Sequence, residues 1–294
     1  MKLNKSISGI SILALAAASC GSTKHSHKSI AALPGTYQST PIVIDGDSKD
    51  WPSPYPNYDA KGMVAYATSN DKENLYITME TGDELTETKI LKQGMIVSID
   101  TAGKKSPQFN INYPLPNDSD PLEIPKGAKD PTSQQALHMG SMLDKQVDKA
   151  TQDANQYSLD GFGTCNGGFM ISQTSPCGIK VRVRIDEYKE MVWEAVVPFK
   201  AIYNKDQITA ADLGKPISVC FAIKGFKKES KSVENSNGGM NQTGTGGMGG
   251  GGRGGGMGGG GNSRGGGRSA VANPMDHLYE NTKTWKIFGL AYQP

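Results

Sequence analysis

The stretch PIVIDGDSKDWPSPYP, residues 41–56, decides how this chain is read. Asp45, Asp47 and Asp50 crowd one short segment and could gather Ca²⁺, a cation that takes several oxygen ligands. An EF-hand loop counted from Asp45 would need a glutamate at its twelfth position, and that position holds Pro56. The other reading is structural. Ile42 to Ile44 ends a strand, Asp45–Gly46 makes an Asx-type turn, and Trp51 tucks its indole against a sheet. The structural corner is the stronger reading, and Asp45, Asp47 and Asp50 stay beside it as candidate metal ligands.

Outward from this corner the dominant signal is alternation of apolar and polar residues, the period of strands. GMVAYAT (62–68) and NLYITME (74–80) flank the turn-rich SNDKE and predict a hairpin. GMIVSID (94–100) and QFNINYPL (108–115) predict a second pair. IKVRVRID (179–186) alternates strictly, with Ile179, Val181, Val183 and Ile185 on one face and Lys180, Arg182 and Arg184 on the other. MVWEAVVPF (191–199) is its expected partner, with Trp193, Ala195 and Val197 sharing a face. PISVCFAIKGF (216–226) reads as a more deeply buried strand, and TWKIFGLAY (284–292) as the last. Many short alternating strands must close two faces on each other, so the expected fold is all-β, a two-sheet antiparallel β-sandwich.

Three segments depart from this pattern. Residues 128–152 predict a helical insertion, with Asp130 as N-cap, Pro131 at the first helical position and a stripe of Leu137, Leu143, Val147 and Ala150. TAADLG has Thr209 and Asp212 at capping-box spacing and predicts a short helix. Residues 238–267 are so rich in glycine that they have much backbone entropy to lose and little side chain to bury, which predicts a disordered loop inserted between two strands. Its Arg253, Arg264 and Arg268 have an RGG character, and Met240, Met248 and Met257 could offer soft sulfur to Cu(I). A flexible spacer or contact loop is the plainer reading.

The start of the chain predicts export. Lys2 and Lys5 precede an apolar run, Ile7 to Ala18, of signal-peptide length and too short to span a bilayer. It ends in AASCG, which resembles a bacterial lipobox. That resemblance implies removal of residues 1–19 and lipidation of Cys20, so that the membrane is a partner through the anchor. Palmitate-type acyl chains hold such a protein at about 0.8 kcal/mol per buried methylene. Residues 20–40, polar and small, read as a flexible tether; its His25 and His27 could hold a metal, but two imidazoles in a floppy segment are ordinarily just solvated. Gly21, in place of an aspartate, suits delivery to the outer membrane of the cell envelope. In that oxidising setting Cys165 and Cys177, flanking a turn-rich connection, are expected to form a disulfide, with Cys220 a buried thiol. The net charge of +2 offers no single-sign field for nucleic acid.

Four segments in order, IVIDGDSKDW, TSNDKENLYITME, WEAVVPFKAI and TWKIFGLAY, resemble the family 9 carbohydrate-binding-module-like domains, members of the wider DOMON-like sandwiches. The resemblance spans nearly all of residues 41–294. It implies a β-sandwich and a glycan ligand stacked on exposed aromatic rings. All three tryptophans, Trp51, Trp193 and Trp285, fall inside the structural segments. The ring candidates are therefore Tyr55, Tyr58, Tyr113, Tyr157 and Phe162. Some related sandwiches bind haem through an axial methionine or histidine, which makes His138, Met139 and Met142 alternative ligands.

No HExxH, GxSxG or Walker loop is present. Glu84, Glu87, Glu187 and Glu190 fall in expected turns, where solvated charge is the ordinary state. The expectation is a lipid-anchored, non-catalytic binding module without an obligate cofactor. The alternatives are a structural or protein-interaction lipoprotein using the glycine-rich loop, and a haem or metal carrier.

Overall fold

The computed structural model describes residues 35–116, 134–227 and 274–294, all within one compact unit, Ala32–Pro294. Cys20, His25, His27, most of the tether, Asp130, Pro131 and the whole of 238–267 lie outside the described residues. Among the described residues no helix is long and apolar enough to cross a membrane.

Eleven described strands form two antiparallel sheets. They are β1 (Asn57–Asp59), β2 (Val64–Asn70), β3 (Asn74–Thr81), β4 (Met95–Asp100), β5 (Phe109–Asn112) and β6 (Gln156–Asp160), followed by β7 (Gly167–Met170), β8 (Lys180–Ile185), β9 (Met191–Pro198), β10 (Pro216–Ile223) and β11 (Thr282–Gly289). One sheet has five strands in the order β1-β2-β3-β9-β8. The other has six, in the order β11-β10-β4-β5-β6-β7. Each hairpin read from alternation forms, including β8 with β9, where Val181 faces Ala195 and Val183 faces Trp193. The strands on either side of 238–267, β10 and β11, pair with each other in full register from Pro216↔Gly289 to Ile223↔Thr282.

The inner faces of both sheets meet in one core. Ile77, Met79, Trp193, Ala195 and Val197 come from one sheet, and Val97, Ile99, Ile111, Val219 and Phe221 from the other. Tyr66 of β2 meets Phe221 of β10 with ring centroids 5.3 Å apart, a direct contact between the layers. Burying each large apolar side chain contributes about 1.5–3 kcal/mol, so this interface dominates stability. Cys165 and Cys177 are disulfide-bonded, and Cys220 is a buried free thiol whose pKa burial pushes up to about 11.

Three features differ from expectation. Glu84 and Glu87 do not lie in a solvated turn but open α1 (Glu84–Gln93), whose N-cap Asp83 accepts a hydrogen bond from the Thr86 amide. Thr86, Thr88, Lys89 and Lys92 are buried there among Ile90 and Leu91, so the helix lacks the apolar stripe that periodicity detects. Short β1, β6 and β7 also carry too few alternating positions to stand out. Finally, the end of the expected tether belongs to the sandwich. The Gln38 amide donates to the Asn70 carbonyl, and the Asn70 amide donates to that of Thr36.

The helical insertion appears as α2 (Gln134–Asp153), with Leu143, Val147 and Ala150 buried as its stripe requires. The third helix, α3 (Phe199–Tyr203), follows directly on β9. Thr209 and Asp212 form their capping box, on a short 3-10 turn (Ala210–Asp212).

Candidate functional site

The corner of residues 42–56 lies over the outer face of the five-stranded sheet. Ile42 and Trp51 pack on Ala67 and Tyr76, with Ile44, Tyr55 and Val196 around them. Period-2 alternation explains why β9 is buried on both sides. Trp193, Ala195 and Val197 face the core, whereas Val192, Glu194 and Val196 face this cover.

Glu194 is the anchor of the corner. Its Oε2 accepts the Asp45 and Gly46 amides at 3.0 and 2.6 Å, and its Oε1 accepts the Trp51 indole Nε1–H at 2.6 Å. The carboxylate is fully enclosed, and burial pushes its pKa up to about 6 against the opposing pull of these three donors. Gly46 fits only as glycine. Its φ is +81°, and a Cβ there would stand 2.6 Å from the Arg184 Cβ.

The three aspartates have local tasks. Asp45 Oδ1 accepts the Asp47 amide, Asp47 Oδ1 accepts the Lys49 amide, and Asp50 Oδ2 accepts the Val43 amide. Asp47 also pairs with Lys49 at 2.7 Å, which holds its pKa below the usual carboxylate value. These are Asx-type turns and a cap. Among the described residues no group of three or more histidine, cysteine or acidic side chains is arranged to hold a metal.

The ring candidates do not converge. Tyr113, Tyr157 and Phe162 are 0%, 1% and 5% exposed, closed inside the core where no sugar ring can reach them. Tyr113 is a structural hub. Its hydroxyl donates to the Ala154 carbonyl and accepts the Val183 amide, its carbonyl accepts the Trp193 indole N–H, and burial pushes its pKa up to about 12. Tyr157 meets it edge-on and donates to the Ile179 carbonyl, while Phe162 packs at a tilt against Phe109. Tyr55 belongs to the corner cluster, with its hydroxyl 3.4 Å from Thr78 Oγ1. Tyr58 is 58% exposed, with its hydroxyl donating to Met63 Sδ.

Trp285 differs from the buried Trp51 and Trp193. Its neighbours Lys286 and Phe288 take the inner face of β11. Trp285 therefore stands partly exposed on the outer face, with Lys283 Nζ 5.7 Å from its ring centroid. Of the alternative haem ligands, Met142 is half-buried in α2, and the side chains of His138 and Met139 lie outside the described residues.

A different set of residues comes together. The corner, the disulfide-closed segment before Cys177 and the outward side chains of β8 enclose an open cleft of about 340 Å³. Ile44 and Asp45 form one wall, Ile171 to Thr174 the second, and Lys180 to Arg182 the floor. Its volume lies at the small end of the range for small-molecule sites, about 300–1,000 Å³. Hydroxyls, an amide, a carboxylate and two cationic groups line it, so it offers donors and acceptors together.

No protein-family model matches this chain, and neither does any curated protein. Solved structures similar to this chain include two of a family 9 carbohydrate-binding module from Caldicellulosiruptor kristjanssonii. The complex with cellotriose aligns at 11% identity over 65% of this chain and 75% of that one, with a TM-score of 0.29. The complex with glucose aligns at 11% identity over 66% and 78%, with a TM-score of 0.30.

Proposed function

We propose that this chain is a lipid-anchored, non-catalytic binding module of the cell envelope that holds a glycan in the cleft between corner, disulfide loop and β8. One observation carries the reading: three separately recognisable sequence features converge on a single polar cleft. A polyol ligand needs hydrogen-bond donors and acceptors in the same small space. Ser172, Gln173, Thr174, Asp45 and Arg182 supply them. The four ordered segments that resemble family 9 carbohydrate-binding-module-like domains point to the same ligand class. The AASCG segment supports the anchor at Cys20, and Gly21 the outer membrane.

The test is a glycan array followed by calorimetric titration of the folded protein. The expected result is saturable binding to a defined glycan, weakened by Gln173→Ala or Thr174→Ala without loss of folding. No binding to any saccharide, or binding untouched by these changes, would overturn the assignment of the cleft. For the anchor, the mature protein should partition into detergent, and Cys20→Ser should abolish this.

A further inference from the structure

We infer that the glycan held in this cleft is acidic, with its anionic substituent set against the guanidinium of Arg182 and the ammonium of Lys180. The inference rests on the glycan reading of the cleft given above.

The cations are fixed by strand geometry. Lys180 and Arg182 are alternate residues of β8, so both project from the outer face, about 7 Å apart along the strand. Both line the cleft and both are exposed. Among the described residues, neither has an acidic partner at ion-pairing distance.

Register explains why Arg182 is left unpaired. Its cross-strand neighbour is Glu194, the carboxylate that would ordinarily answer it. Glu194 is instead spent on the Asp45 amide, the Gly46 amide and the Trp51 indole. The device that shapes the cleft wall therefore also strips Arg182 of its partner. Asp45, the one acid lining the cleft, turns Oδ1 toward the Asp47 amide, which leaves two cations facing one carboxylate. A guanidinium can meet a carboxylate or a sulfate through two parallel N–H donors, and Ser172, Gln173 and Thr174 on the opposite wall can meet ring hydroxyls.

Basic residues on an edge strand have another use, since they discourage a second chain from pairing there. β8 is an edge strand, and Arg184 continues the same row. Arg184 does not line the cleft; its Cβ lies under Gly46. It therefore serves as an internal control of equal charge on the same strand and face.

The experiment titrates the folded protein with short oligogalacturonates, their methyl esters, a sulfated galactan oligosaccharide and neutral cello-oligosaccharides, all at one ionic strength. The uronate and sulfate arms share the anionic chemistry and show which group the cleft prefers. Binding of at least one anionic series is expected, with the uncharged ester or neutral series weaker by about tenfold or more. Arg182→Gln should weaken anionic binding by about tenfold, Arg182→Lys should lose part of it, and Arg184→Gln should stay within about twofold of the parent. Thermal melts of each variant guard against misfolding.

Equal binding of neutral and acidic saccharides, with Arg182→Gln silent, would overturn this inference and leave the glycan reading standing. Equal losses from Arg182→Gln and Arg184→Gln would also overturn it, because a diffuse field would then be responsible. Failure of every saccharide would overturn both.

Discussion

The two walls of the cleft are held by opposite means. The corner wall is fastened by one buried carboxylate that reaches across about 150 residues of sequence to two amides and an indole. The loop wall is closed by a disulfide between cysteines only 12 residues apart. The first fastening depends on the finished sandwich, because Glu194 reaches the corner only once β9 is paired on both sides. The second is a local clamp that acts mainly by restricting the unfolded chain. One wall should therefore respond to charge and protonation, and the other to redox conditions.

The largest effect should come from Glu194→Ala. It would leave three N–H donors without an acceptor beneath a closed cover, a loss of about 4 kcal/mol at the usual cost of buried unsatisfied donors. Chemical denaturation would show this as a lower midpoint with little change in slope. A midpoint unchanged by the substitution would mean that the corner contributes nothing to the fold.

Opening the other wall with Cys165→Ser and Cys177→Ser should cost about 3 kcal/mol, the chain-entropy value for a loop of this size. Adding reductant should mimic the double substitution in the parent and leave the variant unaffected. In the double variant the Glu194 anchor should stay closed, since the three donors it accepts all belong to the corner.

Protonation separates the walls further. The folded pKa of Glu194 lies at about 6, above its ordinary 4.5, so the native state binds the proton more tightly than the unfolded chain. Stability should rise as pH falls from above 6 toward 4.5, by about 2 kcal/mol from this group. Glu87, with one buried oxygen lacking a partner and a pKa raised to about 8 by burial and then by Glu84 and Asp83, works in the same direction. So does Glu80, raised to about 7 by burial and then by Glu190 and Asp186. Below the ordinary carboxylate range the trend should reverse as Asp212 loses its bonds to Lys205 and Lys215. Melting curves across pH test this, and Glu194→Gln should flatten the portion near pH 6.

The smallest effect concerns the aspartates themselves. Asp47→Asn keeps an acceptor for the Lys49 amide and loses only a solvent-screened ion pair, so the melting temperature should barely move. Neither Ca²⁺ nor a chelator should move the melting temperature of the parent or of this variant. A rise of several degrees with Ca²⁺ would restore the chelating reading of Asp45, Asp47 and Asp50.

These contrasts show where the sequence is informative. Strict alternation in 179–186 and the ordered apolar runs in 74–80 and 216–226 identified strands because each places many side chains on a buried face. Trp51 and Gly46 made the corner legible, since an Asx turn before an indole has few other uses. α1 escaped notice because Thr86, Glu87, Lys89 and Lys92 are buried there. Its ends were nevertheless marked by Asp83, the early acids and Gly94. The cleft was illegible for another reason. Lys180 and Arg182 were correctly placed on an outer face, but only the disulfide loop and the corner, far away in sequence, turn that face into a concavity. The ring candidates misled because a tyrosine buried with its hydroxyl satisfied, as Tyr113 and Tyr157 are, has the same sequence signature as an exposed one.

Glu194 holds the corner shut, and amide hydrogen exchange at Gly46 reads that contact directly. In the parent protein the Gly46 amide should exchange as slowly as amides of the central strands, despite lying in a turn. In Glu194→Ala it should exchange at least about a hundredfold faster and lose more of its protection than β3 and β10 lose of theirs. A Gly46 amide that already exchanges freely in the parent, or one whose protection appears only when Ca²⁺ is added, would contradict the account.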